Sequence, residues 1–402
     1  MAAPVRRAPW LTRGVGGIGA ASLLSDLGHE VPTSLLPRLI TSLGGSAAVL
    51  GVIEGVSDAL SGIARLGGGA LADDPARRRA TAVGGYASTA VLSGLIGAST
   101  SVWLVGFLRA GAWTTRGLRV PSRNALLADA TAPEAYGRAY GFERMMDNLG
   151  AIGGPLLALA LVAAFSVRTA ILLSIIPGLL ATLAVIDAVA HLRRPTHRER
   201  QPLKLRIRPV LDAGLSPLFA AIGAFEIGNV ATTLLILRAT ELLTPARGLA
   251  SASSIALLLY AGYNLAATGT SLAAGHASDR FGARAVLVGG VLAFAAAYAV
   301  FGLASGSVAV LMMAFGLAGV GSGCVETAEH AAVAGSAPTA IRGSAFGLLA
   351  AVQSLGNLAA SGLAGVLWAA ISPTVAFVYL AAWMLVSAGL LARTERRVPT
   401  AG

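Results

Sequence analysis

The chain has 402 residues, of which 55% are hydrophobic and only 12% charged, with a formal net charge of +11. A water-facing surface ordinarily needs roughly 25% charged residues, so a soluble globular domain is excluded. One cysteine, Cys324, excludes an intramolecular disulfide framework and a cysteine-rich metal site.

Apolar runs fill the sequence: 14–40, 46–72, 80–99, 102–128, 139–164, 167–191, 212–240, 249–276, 284–304, 306–335, 343–370 and 373–392. Each suffices for the ~20 residues that a helix needs to cross a hydrocarbon core. Backbone groups in lipid must be satisfied locally, so the runs are expected to be helices, about twelve in number. The first run follows a basic start, as a signal peptide would. It is too long for one, carries Asp26, His29 and Glu30, and reads as a retained helix.

The positive charge does not point to nucleic acid. Arg6, Arg7 and Arg13 precede the first run, Arg77, Arg78 and Arg79 follow the second, and a basic stretch from Arg193 to Arg208 follows the sixth. Arg280 and Arg284 follow the eighth, Arg342 the tenth, and Arg393, Arg396 and Arg397 the last. Alternate connections are almost bare of Lys and Arg, apart from Arg168, Arg238 and Arg247. This asymmetry predicts both termini in the cytoplasm of a multi-pass protein of a bacterial inner membrane.

The chain also repeats. Gly275-His276-Ala277-Ser278-Asp279-Arg280-Phe281-Gly282-Ala283-Arg284 has a weaker copy from Gly69 to Arg78, with Asp73 and Asp279 206 residues apart. At that offset Arg138-Ala139-Tyr140-Gly141 falls on Ser344-Ala345-Phe346-Gly347, and Leu149-Gly150 on Leu355-Gly356. The organisation read from this is a six-helix half over 1–192, a basic linker over 193–211 and a second six-helix half over 212–402 with a short cytoplasmic tail.

With the hydropathy and the duplication, the loop of residues 275–284 resembles the signature loop of the major facilitator superfamily: Gly, three residues, Asp, Arg, any, Gly, any, Arg or Lys. The copy at Gly69, Asp73, Arg77 and Arg78 departs from it, with Asp74 where Arg is usual and Ala76 where Gly is usual. The fifth helix resembles the antiporter motif of the family at Gly141, Gly150, Gly154 and Pro155, with Ala158 where a further Gly is usual. The resemblance implies an all-α membrane protein of two pseudo-symmetric six-helix bundles, a monomer without cofactors, whose loop Asp and Arg hold the cytoplasmic side shut. It also implies that the first, fourth, seventh and tenth helices line a central cavity.

Ionisable residues at bilayer depth cost at least ~2.5–3.5 kcal/mol on insertion scales and normally face a partner or a cavity. The cavity candidates are Asp26, His29 and Glu30 on the first helix, Arg109 and Arg116 on the fourth and Asp147 on the fifth. In the second half they are Glu226 and Asn229 on the seventh helix and Glu326, Glu329 and His330 on the tenth. Glu54 and Asp58, on a helix that packs beside the cavity in the family, carry less weight. Carboxyl and imidazole groups there suit proton uptake and release. The leading reading is a proton-coupled antiporter that exports a small molecule by alternating access. The alternatives are efflux of a divalent metal ion, motivated by the acid–histidine clusters, and import. A membrane enzyme or sensor forms a third class, for which no nucleophile–base pair or phosphate loop is visible. No metal ligand set is assigned.

Overall fold

The computed structural model describes residues 10–192, 203–204, 206–304 and 306–394, and the described residues are helical with no strand. Most of the basic linker, the residues beyond Thr394, and Arg6 and Arg7 lie outside the described residues.

Six long helices form the first half: α1 (Arg13–Ser42), α2 (Ala47–Ala72), α3 (Pro75–Leu95), α4 (Val102–Asp129), α5 (Tyr136–Ala164) and α6 (Val167–Ala190). The second half holds α7 (Ile207–Arg247), α8 (Leu249–Phe281), α9 (Ala283–Leu303), α10 (Val308–Ser336), α11 (Arg342–Ala370) and α12 (Pro373–Thr394). Hydroxyls of Thr12, Ser46, Ser101 and Ser166 cap α1, α2, α4 and α6 and satisfy first-turn N–H groups. Among the described residues, nine of the helices are long and apolar enough to cross a membrane by length and composition. The other three are α1, α2 and α4, which carry Asp26, Glu30, Glu54 and Asp58 and the arginines Arg65, Arg109, Arg116, Arg119 and Arg123.

The two connections that end in the duplicated loops are built differently. Gly282 has φ +89°, a left-handed conformation that lets α8 pass into α9 through one residue. At the equivalent turn Asp74 stays in the extended region and caps α3, its carboxylate accepting from the N–H groups of Ala76 and Arg77, with Pro75 as first helical residue. No glycine is needed there, which explains Ala76.

The run expected as one continuous seventh helix is interrupted. The helical segment Ser216–Gly228 stops, Asn229, Val230 and Ala231 leave the helix, and Thr232–Arg247 resumes it. The released groups find partners: the Val230 N–H donates to the Tyr298 hydroxyl (3.3 Å), the Ala231 N–H to Ser361 Oγ (3.0 Å), and the Asn229 carbonyl accepts from Asn357 Nδ2 (2.8 Å). Non-helical backbone at membrane depth survives only with such partners.

Within the first half α1 packs on α5 and α6, and α4 on α2 and α3; within the second α10 packs on α8 and α9, and α12 on α7 and α9. The halves meet through α2 with α11 and α5 with α8, and less extensively through α5 with α10 and α4 with α11. Aromatic packing is concentrated in the second half, where Phe301 sits 5.1 Å from Phe315 and 5.5 Å from Phe377 by ring centroid. The centre of the first half is polar.

Candidate functional site

The halves are sewn together at the end that carries the two loops. Asp279 Oδ1 accepts from the Gly137 N–H at 2.6 Å, and Oδ2 from the Arg138 N–H at 3.2 Å and Nε at 2.6 Å. At the equivalent seam Asp73 Oδ1 accepts from the Ser344 N–H at 2.8 Å and Oδ2 from its hydroxyl. Each aspartate therefore caps the first turn of a helix from the other half, α5 or α11, where free N–H groups and the helix dipole favour an anion.

Glycines make the approach possible. A Cβ on Gly69 would lie 2.9 Å from both the Gly343 carbonyl oxygen and Gly347 Cα. A Cβ on Gly275 would collide with the Gly137 carbonyl oxygen, and one on Gly141 would lie 3.1 Å from Gly275 Cα. Gly69, Gly137 and Gly141 sit 206 residues before Gly275, Gly343 and Gly347, so the duplication read from the sequence is a duplication of contacts.

The loop arginines do not act as expected. Arg280 is exposed and lies over Phe281 at 5.0 Å, inside its own half. The cation that meets Asp279 is Arg138. Arg284 opens α9, partly exposed. Arg77 pairs with Asp74 at 3.7 Å. Arg78 is buried, donates to the Ala72 carbonyl at 2.6 Å and pairs with Asp129, which also reaches Arg342 of the other half at 3.7 Å.

Deeper in the first half the charges are paired. Asp26 Oδ1 lies 3.2 Å from both His29 Nδ1 and Arg116 Nη2, and His29 Nε2 lies 2.8 Å from Arg116 Nη1 and 3.2 Å from Glu30. Arg109 pairs with Glu54 at 3.0 Å, donates to Thr33 and stacks 3.4 Å over Trp113, whose Nε1 donates to Asp58 at 2.9 Å. Glu143, fully buried, takes Arg123 at 2.8 Å and Arg144 at 2.8 Å. Asp147 joins both arginines at 3.4 and 3.3 Å. Glu54 and Asp58, given low weight above, thus belong to the same network as the fourth-helix arginines.

The fifth-helix motif lies behind this network. Gly150 packs on Leu23 and on Asp26, whose Cβ a built Cβ would meet at 2.9 Å, and Gly154 packs on Glu30. Pro155 follows within the helix. The motif brings α5 against the acidic face of α1, whereas Gly141 serves the seam with α8.

The second half is built on other terms. Glu226 accepts from Asn229 Nδ2 at 2.9 Å, Glu329 from Gln353 Nε2 at 2.8 Å and Glu326 from Ser322 Oγ at 2.8 Å. The partners are neutral donors. Arg144, from the other half, lies 3.7 Å from Glu326. Glu329 Oε1 is buried without a hydrogen-bond partner among the described residues. His330 turns away from the two acids of its helix face: Nδ1 bonds the Glu326 carbonyl, and the ring packs against Tyr140 and Phe346.

Spacing alone gives no sign of Arg65, which crosses from α2 to donate to Ser354 Oγ at 2.7 Å and to the Ala350 carbonyl. Gln353 and Asn357 escape notice for the same reason. The metal alternative meets an obstacle, since among the described residues no group of three or more His, Cys, Asp and Glu is placed to hold a metal ion.

The sequence profile of the Major Facilitator Superfamily matches residues 18–243 and 218–402. An uncharacterized MFS-type transporter of Methanocaldococcus jannaschii is 30% identical over 395 residues, covering 95% of this chain and 94% of the relative. Among solved structures, the human organic anion transporter MFSD10 superposes with a TM-score of 0.73 at 18% identity, covering 96% of this chain and 100% of the other. A bacterial homologue of the iron transporter ferroportin, in an outward-facing state, gives 0.71 at 16% identity over 96% and 100%. At these identities the two structures speak for the fold alone.

Proposed function

The chain belongs to the Major Facilitator Superfamily, and on that premise we propose that this membrane transporter is a proton-coupled exporter of a small molecule, working by alternating access as a monomer in a bacterial inner membrane. The halves are taken as 1–192 and 212–402, joined by the basic linker 193–211. The arginine distribution supports a cytoplasmic location for both termini and for the sewn end. On that orientation the Asp73 and Asp279 seams hold the cytoplasmic end shut.

One observation carries the coupling claim. The first half neutralises its buried acids with arginines, whereas Glu226 and Glu329 in the second half are buried against amides. A buried carboxylate without a cation is costly, and a proton removes the cost. Proton binding from outside would neutralise these groups. Release to the cytoplasm after the halves rock would restore their charge and complete an exchange cycle.

The test is flux of substrate in liposomes under an imposed pH gradient, with substrate drawn from a growth screen of a deletion strain against toxic compounds. Flux driven outward by an inward proton gradient is expected. Flux indifferent to the gradient removes the coupling, and flux in the direction of the proton removes export.

A further inference from the structure

We propose that a recess at the sewn end is a binding site for a phosphomonoester on a small hydroxylated body, and that its occupant holds the α5/α8 seam shut. The site stands apart from the coupling and the cargo argued above; only its cytoplasmic side rests on that reading.

The recess has a volume of about 410 Å³ and three walls: the start of α5, the turn from α8 into α9, and the end of α10. Pockets of roughly 300 to 1,000 Å³ take small organic ligands, so the space is larger than a bare ion needs. None of Asp26, Glu226, Glu326 and Glu329 lines it.

The turn supplies donors. α9 begins at Ala283 behind Gly282, and no side chain caps its first turn. Ala283, Arg284 and Ala285, whose N–H groups have no acceptor within the helix, all line the recess. At the corresponding end of α3 the Asp74 carboxylate takes the N–H groups of Ala76 and Arg77. The first repeat thus carries its own anion at this place, and the second leaves the place open. Free N–H groups and the helix dipole there favour an anion. Arg284 adds a guanidinium with no ion pair among the described residues.

An independent observation comes from α8. Ser278 stands in the wall of the recess and is 6% exposed, and its hydroxyl oxygen is buried without a hydrogen-bond partner among the described residues. Folded proteins rarely leave such a group unpaired. A phosphate oxygen would give the hydroxyl an acceptor.

The remaining walls select the body. Asp279 has both carboxylate oxygens engaged by Gly137 and Arg138, so its charge is met. Glu134 lines the recess as an exposed acceptor. Gly335 and Ser336 end α10, where the last carbonyls have no partner within the helix. Acceptors on two walls suit hydroxyl groups and oppose a second phosphate. The α5 wall belongs to the first half and the other two to the second, so parting the halves would dismantle the recess. A ligand that binds one state alone shifts the population towards it.

The test is equilibrium binding of glycerol 3-phosphate to the full-length protein in phosphatidylcholine nanodiscs. Glycerol and inorganic phosphate are the comparison probes, and discs containing phosphatidic acid form a second arm. Saturable binding of glycerol 3-phosphate is expected, tighter than that of phosphate, with none of glycerol. Arg284→Gln should weaken it by at least about tenfold, a difference of about 1.4 kcal/mol. Ser278→Ala should weaken it as well, and binding unchanged by Ser278→Ala overturns the proposal even if Arg284→Gln fails to fold. A melting temperature raised by phosphatidic acid in the wild type and not in Ser278→Ala, without binding of the free ester, assigns the phosphate to a lipid headgroup. No response to either source overturns the site. Saturating ester should also slow thiol labelling of Ser354→Cys in a Cys324→Ser background by at least about twofold. Unchanged labelling overturns the closure. No gradient and no cargo enter these measurements, so their failure leaves the transport reading standing.

Discussion

Asp279 and Arg138 join the two halves by an ion pair of 2.6 Å, whereas at the other seam Asp73 meets the N–H and hydroxyl of Ser344. Both aspartates cap a helix of the opposite half, but Asp279 also holds a formal charge across the seam. Asp279→Asn should therefore reduce transport more than Asp73→Asn, measured as initial flux at matched protein levels. Equal losses would show that the helix caps, common to both seams, carry the closure.

Burial at the α2/α11 seam pushes the Asp73 carboxyl above the ordinary aspartate value, against the hydrogen bonds from Ser344. The folded state then keeps the proton to higher pH than the unfolded chain, whose aspartates titrate at about 3.9. Stability from this group is greatest in acid and is lost as pH rises through that raised value. The melting-temperature advantage of the wild type over Asp73→Asn should shrink between pH 4 and pH 7. A constant difference across that range would refute it.

The glycine seams give a conformational prediction. Gly275→Ala puts a methyl group against the Gly137 carbonyl, and Gly347→Ala puts one only 2.8 Å from Gly69 Cα. Either change should prevent the sewn end from closing. In a Cys324→Ser background, which is free of cysteine, a cysteine placed at Ser354 should become more accessible to reagents from the cytoplasmic side. Unchanged labelling would mean that the seam tolerates the methyl group.

Buried pairs and cavity-edge acids should separate by stability. Removing one member of a buried ion pair costs about 3–5 kcal/mol because the other is left unpaired. Glu143→Gln removes the closest acid from both Arg123 and Arg144, leaving them the longer contacts with Asp147, and should lower the unfolding temperature in detergent clearly. Glu326→Gln, at a half-exposed edge, should change it little.

Glu226→Gln and Glu329→Gln keep shape and hydrogen-bonding capacity while removing the titratable group. Each should abolish flux driven by a pH gradient yet preserve exchange of labelled for unlabelled substrate. Retained gradient-driven flux in both would move the coupling site elsewhere.

Much of the architecture was legible because its cause is compositional. Lipid demands apolar runs, and Arg6 to Arg397 alternate with bare connections for reasons of insertion. The duplication was legible because the seams require glycine and aspartate at fixed places. The partner of Asp279 was not. The sequence puts Arg280 beside it, but helix geometry points Arg280 out over Phe281, and Arg138 arrives from another helix. Nor was the break at Asn229 legible, since its compensation comes from Tyr298, Ser361 and Asn357, all distant in sequence. His330 shares a helical face with Glu326 by spacing, yet aromatic packing from Tyr140 and Phe346 takes it out of their company.

The paired glycines at the 206-residue offset bear on how the protein must move. Gly69 receives the second repeat at one seam, and Gly275 receives the first repeat at the other. The seams are two copies of a single joint on opposite sides of a pseudo-dyad. Backbone held against backbone has little side-chain slack with which to stretch one joint while the other stays shut. Opening therefore favours a rigid rotation that parts both at once, and a fault engineered into either joint should be felt at its twin.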